Sequence, residues 1–349
     1  MGRYNLDIRP HRKGEKHMTL KEIAEASGYS ISAVSKALAG APDISETAKK
    51  EILKLAGELG YTPKRKLKKV EPTRPLTIGL LIPTPSSGYF SRISYELEQM
   101  LRAEGALLVI GYSQYDPETE AADIRAFQRS GMVDAIISVS PNNVADSIPK
   151  CDVPLLVISQ TDAELHLVDS VKVDDSYGIQ CAIEQLYQLG HRRIAYVGEL
   201  KTQTRLGYYK KALAACGLQP ESELVAVSEL ESFSAGYEGM QAILRQTQQP
   251  PTAVFCAYDK IAIGAWSAIA EFGRRVPEDI SIFGLDNSRN VHLFGKTLTT
   301  IDCHIHDQLS IALDILKRKL RDPSYTTIQV TVIKTDLQPG DTIGPCTAP

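Results

Sequence analysis

Short apolar runs alternate with segments of helical periodicity from Leu76 to Gly284, and this alternation restricts the possible folds more than any other feature. The pattern begins at the apolar run 77–82 and restarts at Gly178 after a break. Strands that alternate with helices of about 10–15 residues are typical of parallel sheets, whose ligand-binding loops follow the carboxyl ends of the strands. The repetition therefore predicts two α/β halves joined end to end.

The length of the chain and the predicted strands and helices indicate several packed units. With 349 residues, 43% of them hydrophobic, the chain is long enough for two or three packed units. Strands are predicted at 77–82, 107–110, 135–139, 154–158, 194–198, 224–227, 253–257 and 280–284, and helices at 91–104, 116–130 and 178–189 and from residues 205, 234 and 261.

Residues 19–38 have the pattern of two short helices joined by a tight turn. Thr19 followed by Glu22 is a capping box, in which the two side chains satisfy free backbone N–H groups of the first helical turn. Gly28 can adopt the positive φ that such a turn requires, and Ser30 can cap the second helix. The spacing predicts a helix-turn-helix unit, and an ordinary helical hairpin is the alternative.

A third helix is predicted after the turn at 40–43, capped by Ser45 and ended by Gly60. Its apolar stripe runs from Ala48 to Leu59. Three short helices around one core make a headpiece of about 45 residues, near the lower size limit for independent folding. We therefore expect it to gain stability from DNA or from a dimer partner.

The charge is distributed unevenly along the chain. Residues 1–75 contain 16 Lys and Arg against 9 Asp and Glu, a net charge of +7, whereas the remainder has a net charge of −10. A basic head on an acidic body is typical of a protein whose head meets phosphates. Residues 1–17 are predicted to be a disordered basic arm, or else the start is assigned too early. Five of the six residues from Lys64 to Lys69 are basic, which by itself also fits a solvated linker.

The stretch T-x-x-E-I-A-x-x-x-G-x-S-x-x-x-V-S-x-x-L at 19–38 resembles the N-terminal signature of the lactose-repressor (LacI/GalR) family of bacterial transcription regulators. Further similar segments follow in the family's order: L-G-H-R-R-I-A-Y-V-G, P-T-A-V-F-C-A-Y-D, R-V-P-E-D-I-S-I-F-G-L-D-N and L-T-T-I. The resemblance covers residues 18–345. It implies an α/β protein in which a three-helix helix-turn-helix headpiece precedes a two-lobed periplasmic-binding-protein-like core with two parallel sheets.

The resemblance also implies a domain organisation in which the chain crosses between the two lobes several times. The segment from Asp302 onwards should return to the first lobe, and the final strand should lie in the second. The expected parts are the arm 1–17, the headpiece 18–63, the basic hinge 64–76 and the core 77–345, with lobe 1 at about 77–175 and 302–331 and lobe 2 at about 176–301 and 332–345.

Members of the family bind near-palindromic operator DNA as homodimers, and the resemblance places DNA contacts in the headpiece and hinge. Lys36 replaces the more usual Arg and lacks its planar fork, so base discrimination should be looser. In the hinge, Leu67 and Val70 differ from the family's usual Ala and Leu, which weakens a minor-groove wedge and shifts weight onto charge. The implied DNA-binding residues are Thr19, Ser30, Ile31, Ser32, Ser35, Lys36, Lys64, Leu67 and Val70.

A small-molecule effector is expected between the lobes, as in the family. Ser159 and Tyr258 stand where Asp and Asn are usual, which argues against a simple free hexose, and Lys201 allows a phosphorylated or acidic ligand. The segment 286–290 together with Tyr89 and Phe90 resembles the purine-repressor branch. The implied effector-binding residues are Tyr89, Phe90, Ser159, Lys201, Arg205, Tyr258 and Asp286; alternatively these side chains pack the lobes or lie on the surface.

The sequence gives no support for catalysis, metal binding or a cofactor. There is no H-E-x-x-H, P-loop or G-x-S-x-G motif, and the seven His residues lack metal-ligand spacing. The six scattered cysteines and the lack of a signal peptide or of about 18 successive apolar residues predict a cytoplasmic protein with reduced thiols and no membrane contact. We expect an effector-controlled repressor of carbohydrate-metabolism genes; a purine-responsive regulator, a solute-binding or enzymatic module, and a constitutive architectural DNA binder are the alternatives.

Overall fold

The computed structural model describes residues 20–38, 44–59, 74–139, 152–159, 168–288 and 291–347. The chain divides into two compact units, residues 1–71 and residues 72–349, which are considered separately below. We refer to the described part of the first unit, residues 20–59, as the headpiece, and to that of the second, residues 74–347, as the core.

The headpiece consists of three helices, α1 (Leu20–Ser27), α2 (Ile31–Leu38) and α3 (Glu46–Glu58). The caps predicted at Ser30 and Ser45 are present, because the backbone N–H groups of residues 33 and 48 donate to Ser30 Oγ (3.1 Å) and Ser45 Oγ (3.3 Å), whereas Thr19 and Gly60 lie outside the described residues. Gly28 has a φ of +71°, as the tight turn requires. All three helices bury apolar side chains against each other, namely Ile23, Ala24, Val34, Ala37, Ile52 and Ala56.

Lobe 1 of the core is built on a six-stranded sheet with the order β13-β5-β4-β3-β1-β2, in which every pair is parallel. Every residue of β1, β3 and β4 is buried, as in sheets covered on both faces. Its strands are β1 (Thr77–Ile82), β2 (Leu107–Tyr112), β3 (Ala135–Val139), β4 (Leu155–Ser159), β5 (Asp169–Asp174) and β13 (Val330–Lys334), and its helices are α4 (Gly88–Ala103), α5 (Pro117–Ser130) and α10 (Ile305–Arg321).

Lobe 2 contains a four-stranded parallel sheet with the order β7-β6-β8-β9. Helices α8 and α9 cross at close range: a Cβ on Gly236 would lie 2.0 Å from the backbone oxygen of Ile261, so only glycine fits there. The elements are α6 (Asp175–Gln188), β6 (Ile194–Glu199), α7 (Gln203–Ala215), β7 (Val225–Ser228), α8 (Ser232–Gln246), β8 (Ala253–Cys256), α9 (Asp259–Glu271) and β9 (Ser281–Phe283), followed by the hairpin β10 (His292–Leu293) and β11 (Lys296–Thr297).

The chain passes between the lobes near residues 174, 302 and 335. The antiparallel pair β12 (Thr300–Asp302) and β14 (Asp336–Gln338) forms two of these crossings. The third begins α6, where a Cβ on Gly178 would lie 2.2 Å from Thr335 Oγ1, so that two crossings pack in direct contact. After β14 the chain stays in lobe 2, since the N–H of Ile282 donates to the backbone oxygen of Thr342 (2.7 Å).

Two expected lobe boundaries lie elsewhere in the structure: Asp175 begins α6 in lobe 2 instead of ending lobe 1, and the boundary expected at about 331 follows three residues later. Strand β13 continues to Lys334 and pairs along its whole length with β5 in lobe 1, so the change of lobe follows at Thr335. Pairing with a buried neighbouring strand determines this end, and neither residue composition nor turn signals mark it.

Strand β5 was not predicted, because polar residues interrupt its apolar positions. Asp169 is nevertheless buried: its carboxylate accepts the N–H of Gln329 (2.8 Å) and pairs with Lys319 (2.7 Å). Elsewhere the ends of the predicted elements move by at most three residues: α6 begins at residue 175 instead of 178, whereas β9 is one residue shorter at each end than predicted. None of the described helices is long and apolar enough to cross a membrane.

Candidate functional site

The first candidate site is the exposed face of α2 in the headpiece. Ile31, a large apolar residue in the first turn, is 50% exposed. Ser30 Oγ accepts a hydrogen bond as the helix cap, which leaves its O–H free to donate to an anion. The exposed residues of α2 are Ile31, Ser32, Ser35 and Lys36. This arrangement provides an apolar, hydroxyl and cationic surface on one short helix.

Four of the expected DNA-binding residues cannot be placed in this way. Thr19, Lys64, Leu67 and Val70 lie outside the described residues, as do most of the expected hinge 64–76 and the arm 1–17. The DNA-binding roles of all nine expected residues remain predictions.

The second candidate site is a cavity of about 380 Å³ between the two lobes of the core. It follows the carboxyl ends of the strands in both sheets, as expected for parallel α/β folds. All seven expected effector-binding residues line it: Tyr89, Phe90, Ser159, Lys201, Arg205, Tyr258 and Asp286. Their contact with an effector remains a prediction, but the structure brings them together from five separate stretches of the chain.

A buried ion network forms the floor of the cleft. Arg205, at the start of α7, donates from Nε to Asp175 Oδ2 (2.8 Å), from Nη1 to the backbone oxygen of Ala257 (2.7 Å) and from Nη2 to Asp286 Oδ1 (3.2 Å). Burial alone would lower the pKa of Arg205, but the two carboxylates raise it above its usual value. The guanidinium therefore stays charged at every pH at which the protein folds.

Burial has the opposite sign for the carboxyl groups. It raises the pKa of Asp286 to about 6, against the lowering effect of Arg205 and with a further rise from Asp175. Behind it, burial and then Asp286 raise the pKa of Asp259 to about 7. Asp259 accepts hydrogen bonds from Thr300 Oγ1 (2.5 Å) and from the N–H of Ser288 (2.6 Å), so it secures the loop that carries Asp286.

One oxygen of the floor has no protein partner. Asp175 is 2% exposed, and its Oδ1 is buried without a hydrogen bond within the described part of the chain, while its Oδ2 accepts from Arg205. A buried, unpaired carboxylate oxygen is costly, and natural proteins rarely retain one without a reason. Because Asp175 lines the cavity, a donor on a bound ligand can supply the missing hydrogen bond.

The opposite side of the cleft is aromatic. Tyr89 and Phe90 begin α4 and meet edge to face at 5.5 Å, and the Tyr89 hydroxyl donates to Gln308 Oε1 (3.0 Å). Phe90 lies 6.5 Å from the ring of Tyr115. Tyr115 has a φ of +60°, a conformation that costs about 1–3 kcal/mol in a non-glycine residue and is concentrated at functional sites.

Two further expected residues have their polar groups engaged. Lys201 forms an ion pair with Glu231, and its Nζ lies 4.2 Å from the ring centre of Tyr115 in the other lobe. The Tyr258 hydroxyl accepts the N–H of Ser232 (3.2 Å), which also donates to Glu199 Oε2 (3.0 Å). Tyr258 therefore fills part of the cleft instead of leaving its hydroxyl unpaired.

Several residues that line the cavity were not expected from the sequence: Thr84, Ser86, Tyr115, Asp175, Glu199, Thr204, Tyr208, Glu231 and Ser232. Asp175 had a usable signal, because it directly follows a strand end, but the strand itself was not recognised. The positive φ of Asp286, +103°, had no sequence signal. Among the described residues, no group of three or more His, Cys, Asp or Glu is arranged to hold a metal ion.

The headpiece and the cleft together define a class: a two-lobed binding protein for small polar ligands that carries a helix-turn-helix DNA-binding unit. Residues 19–64 match the model of bacterial regulatory proteins of the lacI family, and residues 183–343 match the periplasmic binding protein-like domain. The chain belongs to the lacI family. It is a DNA-binding transcriptional regulator controlled by a small-molecule effector.

Individual relatives cover nearly the whole chain. The ribose operon repressor of Haemophilus influenzae is 28% identical over 89% of this chain and 95% of its own length. The repressor PurR of Klebsiella pneumoniae strain 342 is 30% identical over 81% of this chain and 84% of its own. The lac repressor dimer bound to operator and the anti-inducer ONPF has the same fold, with a TM-score of 0.69 at 24% identity over 94% of this chain and all of that one.

Proposed function

We propose that this regulator is a homodimeric repressor of carbohydrate-metabolism genes that acts in the cytoplasm on a near-palindromic operator. A sugar or sugar derivative in the cleft changes its affinity for that operator. The observation that carries the proposal is the Arg205 guanidinium, buried between Asp175 and Asp286 on the floor of a cavity of about 380 Å³. Fixed carboxylate oxygens and N–H groups suit the hydroxyls of a sugar, and aromatic rings suit its apolar faces.

The proposed DNA contacts follow from the exposed face of α2. Ile31, Ser32 and Lys36 contact base edges, whereas Ser30 and Ser35 bind phosphates and position the helix. Thr19, Lys64, Leu67 and Val70 complete the proposed set, with the last two as the wedge into the minor groove. Each subunit supplies one such surface to half of the operator.

Three observations bear on the chemical class of the effector. Lys201, which allowed a phosphorylated ligand, pairs with Glu231 at the exposed rim of the cleft, so a phosphate would have to compete with that carboxylate. The pair of rings at Phe90 and Tyr115 supports a purine as the second candidate, because a flat base packs well against aromatic side chains. A name such as ribose operon repressor among the relatives supports the carbohydrate class.

Selection of bound fragments from a pool of random duplexes, with the full chain, tests the DNA part. We expect a near-palindromic consensus. Lys36→Ala should lower the slope of log affinity against log salt by about 0.9 if Lys36 contacts a phosphate, or relax one base position if it contacts a base. The matched control is Lys50→Ala, an exposed lysine of α3. If the unaltered chain selected no DNA sequence over the others, the proposal would be contradicted.

Thermal unfolding of the full chain with sugars, sugar phosphates and purines tests the effector part. A specific ligand present at about a hundred times its Kd adds about 2.7 kcal/mol to the free energy of unfolding. Arg205→Lys, which cannot bridge both carboxylates, should reduce that shift, and Lys211→Ala, an exposed residue of the same helix, should keep it. Equal shifts in Arg205→Lys and the unaltered chain would contradict the cleft assignment.

A further inference from the structure

The cleft carries a net negative charge, and binding the hydroxyl groups of a sugar does not by itself require one. Three carboxylates of the cleft are buried, Asp175, Glu199 and Asp286, against a single buried cation, Arg205. The remaining charges, Lys201 and Glu231, lie at the exposed rim and pair with each other. The floor of the cleft thus holds an excess of negative charge that no described side chain lining it neutralises.

The carboxylates differ in what they still lack. Glu199 Oε2 accepts the N–H of Ser232, and its side chain also accepts a backbone N–H in the capping box with Thr202. Asp286 Oδ1 accepts from Arg205. Asp175 Oδ1, by contrast, is buried and has no hydrogen-bond partner among the residues that the structure describes. The carboxylate oxygen that lacks a hydrogen-bond donor, Asp175 Oδ1, therefore lies in the same part of the cleft as the excess negative charge.

We propose that the effector carries a protonated amine, as in an amino sugar, and that this ammonium group donates to Asp175 Oδ1. This inference rests on the proposed function, because it specifies the ligand of the same cleft. An ammonium group supplies both the hydrogen bond that Asp175 lacks and the positive charge that the floor lacks. A hydroxyl supplies only the first, and a phosphate opposes the second.

Electrostatic energies decide between these ligands. The attraction between an ammonium group and a buried carboxylate exceeds the net contribution of a neutral hydrogen bond, even after part of it is offset by desolvation. The aromatic wall is compatible with a cation as well, since the face of Tyr115 already carries the ammonium group of Lys201. A sugar phosphate would bring negative charge to a floor that is already negative.

The test compares matched ligands on the unaltered full chain by calorimetry at neutral pH. D-Glucosamine, D-galactosamine and D-mannosamine are each measured against the parent sugar and the N-acetyl derivative, which keeps the nitrogen but loses the charge. We expect at least one amine to bind about tenfold or more tightly than both neutral partners. Its advantage should disappear as the pH rises above the pKa of the amine.

The variant Asp175→Asn places an amide N–H₂ group where the unpaired oxygen lies, at nearly the same volume. It should abolish the preference for the amine, whereas Asp314→Asn, which removes an exposed carboxylate from α10, should keep it. Circular dichroism establishes that each variant is folded, and the comparison of ligands on the unaltered chain does not depend on either variant.

The outcomes separate this inference from the proposed function. If a neutral sugar or its N-acetyl derivative binds as tightly as the amine, or if a sugar phosphate binds more tightly, the inference is wrong and the proposed sugar-responsive function stands. If no member of the amine set binds at millimolar concentration, the inference is also wrong. If no sugar of any kind binds, the carbohydrate part of the proposed function fails with it.

Discussion

The two walls of the cleft differ in charge. Among the described residues, the wall from lobe 1 consists of seven uncharged residues, namely Thr84, Ser86, Ser87, Tyr89, Phe90, Tyr115 and Ser159. All six charged lining residues come from lobe 2, namely Asp175, Glu199, Lys201, Arg205, Glu231 and Asp286. One lobe therefore offers apolar surface and hydroxyls, and the other offers fixed charges.

This division separates two tasks of a ligand-binding cleft. Charges held in a buried network discriminate between ligands, because a mismatch leaves a charge desolvated and unpaired. Rings and hydroxyls on the facing lobe contribute area that any ligand of the right size can cover. Substitutions in the two walls should consequently differ in the size and in the kind of their effects.

The largest effect is expected for Arg205→Ala. It leaves the carboxylates of Asp175 and Asp286 buried without their cation, which typically costs about 3–5 kcal/mol. The measurement is urea-induced unfolding of the full chain. Lys211→Ala on the same helix should stay within about 0.5 kcal/mol. A loss below about 1 kcal/mol in Arg205→Ala would remove the distinction between the walls.

The second effect, smaller for each pH unit, is expected from pH and arises from the floor of the cleft in lobe 2. Burial raises the pKa of Asp286 to about 6 and that of Asp259 to about 7, from 3.8 in the unfolded chain. Between these values the folded state binds more protons, so both groups stabilise the fold at low pH. That contribution is lost as the pH rises from about 4 to about 7, by at most about 1.4 kcal/mol per pH unit and group.

The contribution is measured as the difference between the unaltered chain and Asp259→Asn in urea midpoints across this range. The variant should show a flatter fall of stability with rising pH. Asp314→Asn serves as the control, because that carboxylate is exposed. If the urea midpoints of the unaltered chain and of Asp259→Asn changed with pH in parallel, protonation of Asp259 would not contribute to the pH dependence of stability.

The smallest effect is expected in the wall of lobe 1. Tyr115→Leu removes the ring that lies 4.2 Å from Lys201 Nζ, an interaction of about 0.5–1 kcal/mol at an exposed site. Because the same ring lines the cavity and can cover part of a bound ligand, ligand affinity should also fall, by about two- to fivefold. Tyr112→Leu, an exposed tyrosine of β2 outside the cavity lining, is the matched control. A loss of a hundredfold or more in Tyr115→Leu would mean that lobe 1 also determines specificity.

Much of the fold could be predicted because local sequence patterns determine many of its helices and strands. Apolar runs of four to six residues at β1, β3 and β8 gave their strands, and hydroxyl caps at Ser30 and Ser45 gave the starts of two helices. Strand β5 was missed because its polar residues are satisfied by partners far along the chain, such as Lys319. No local pattern carries that information.

The cleft residues were found by resemblance, and their chemistry could not be derived from the sequence. The motif around Arg205 indicated a binding residue, but not that two carboxylates from separate elements already hold it. Equally, nothing at Lys201 indicated its pairing with Glu231. Such pairings depend on which strand ends meet at the cleft.

The return of the chain to both lobes between residues 330 and 347 has a consequence for biosynthesis. The edge strand β13 of lobe 1 and the segment around Thr342, bonded to Ile282 in lobe 2, leave the ribosome after all the other strands of the two parallel sheets. The helices of the headpiece are complete once residue 59 has emerged. Since domains fold as units during synthesis, neither lobe can complete its fold before this segment has emerged, and the edge of the lobe 1 sheet at β5 stays open until then.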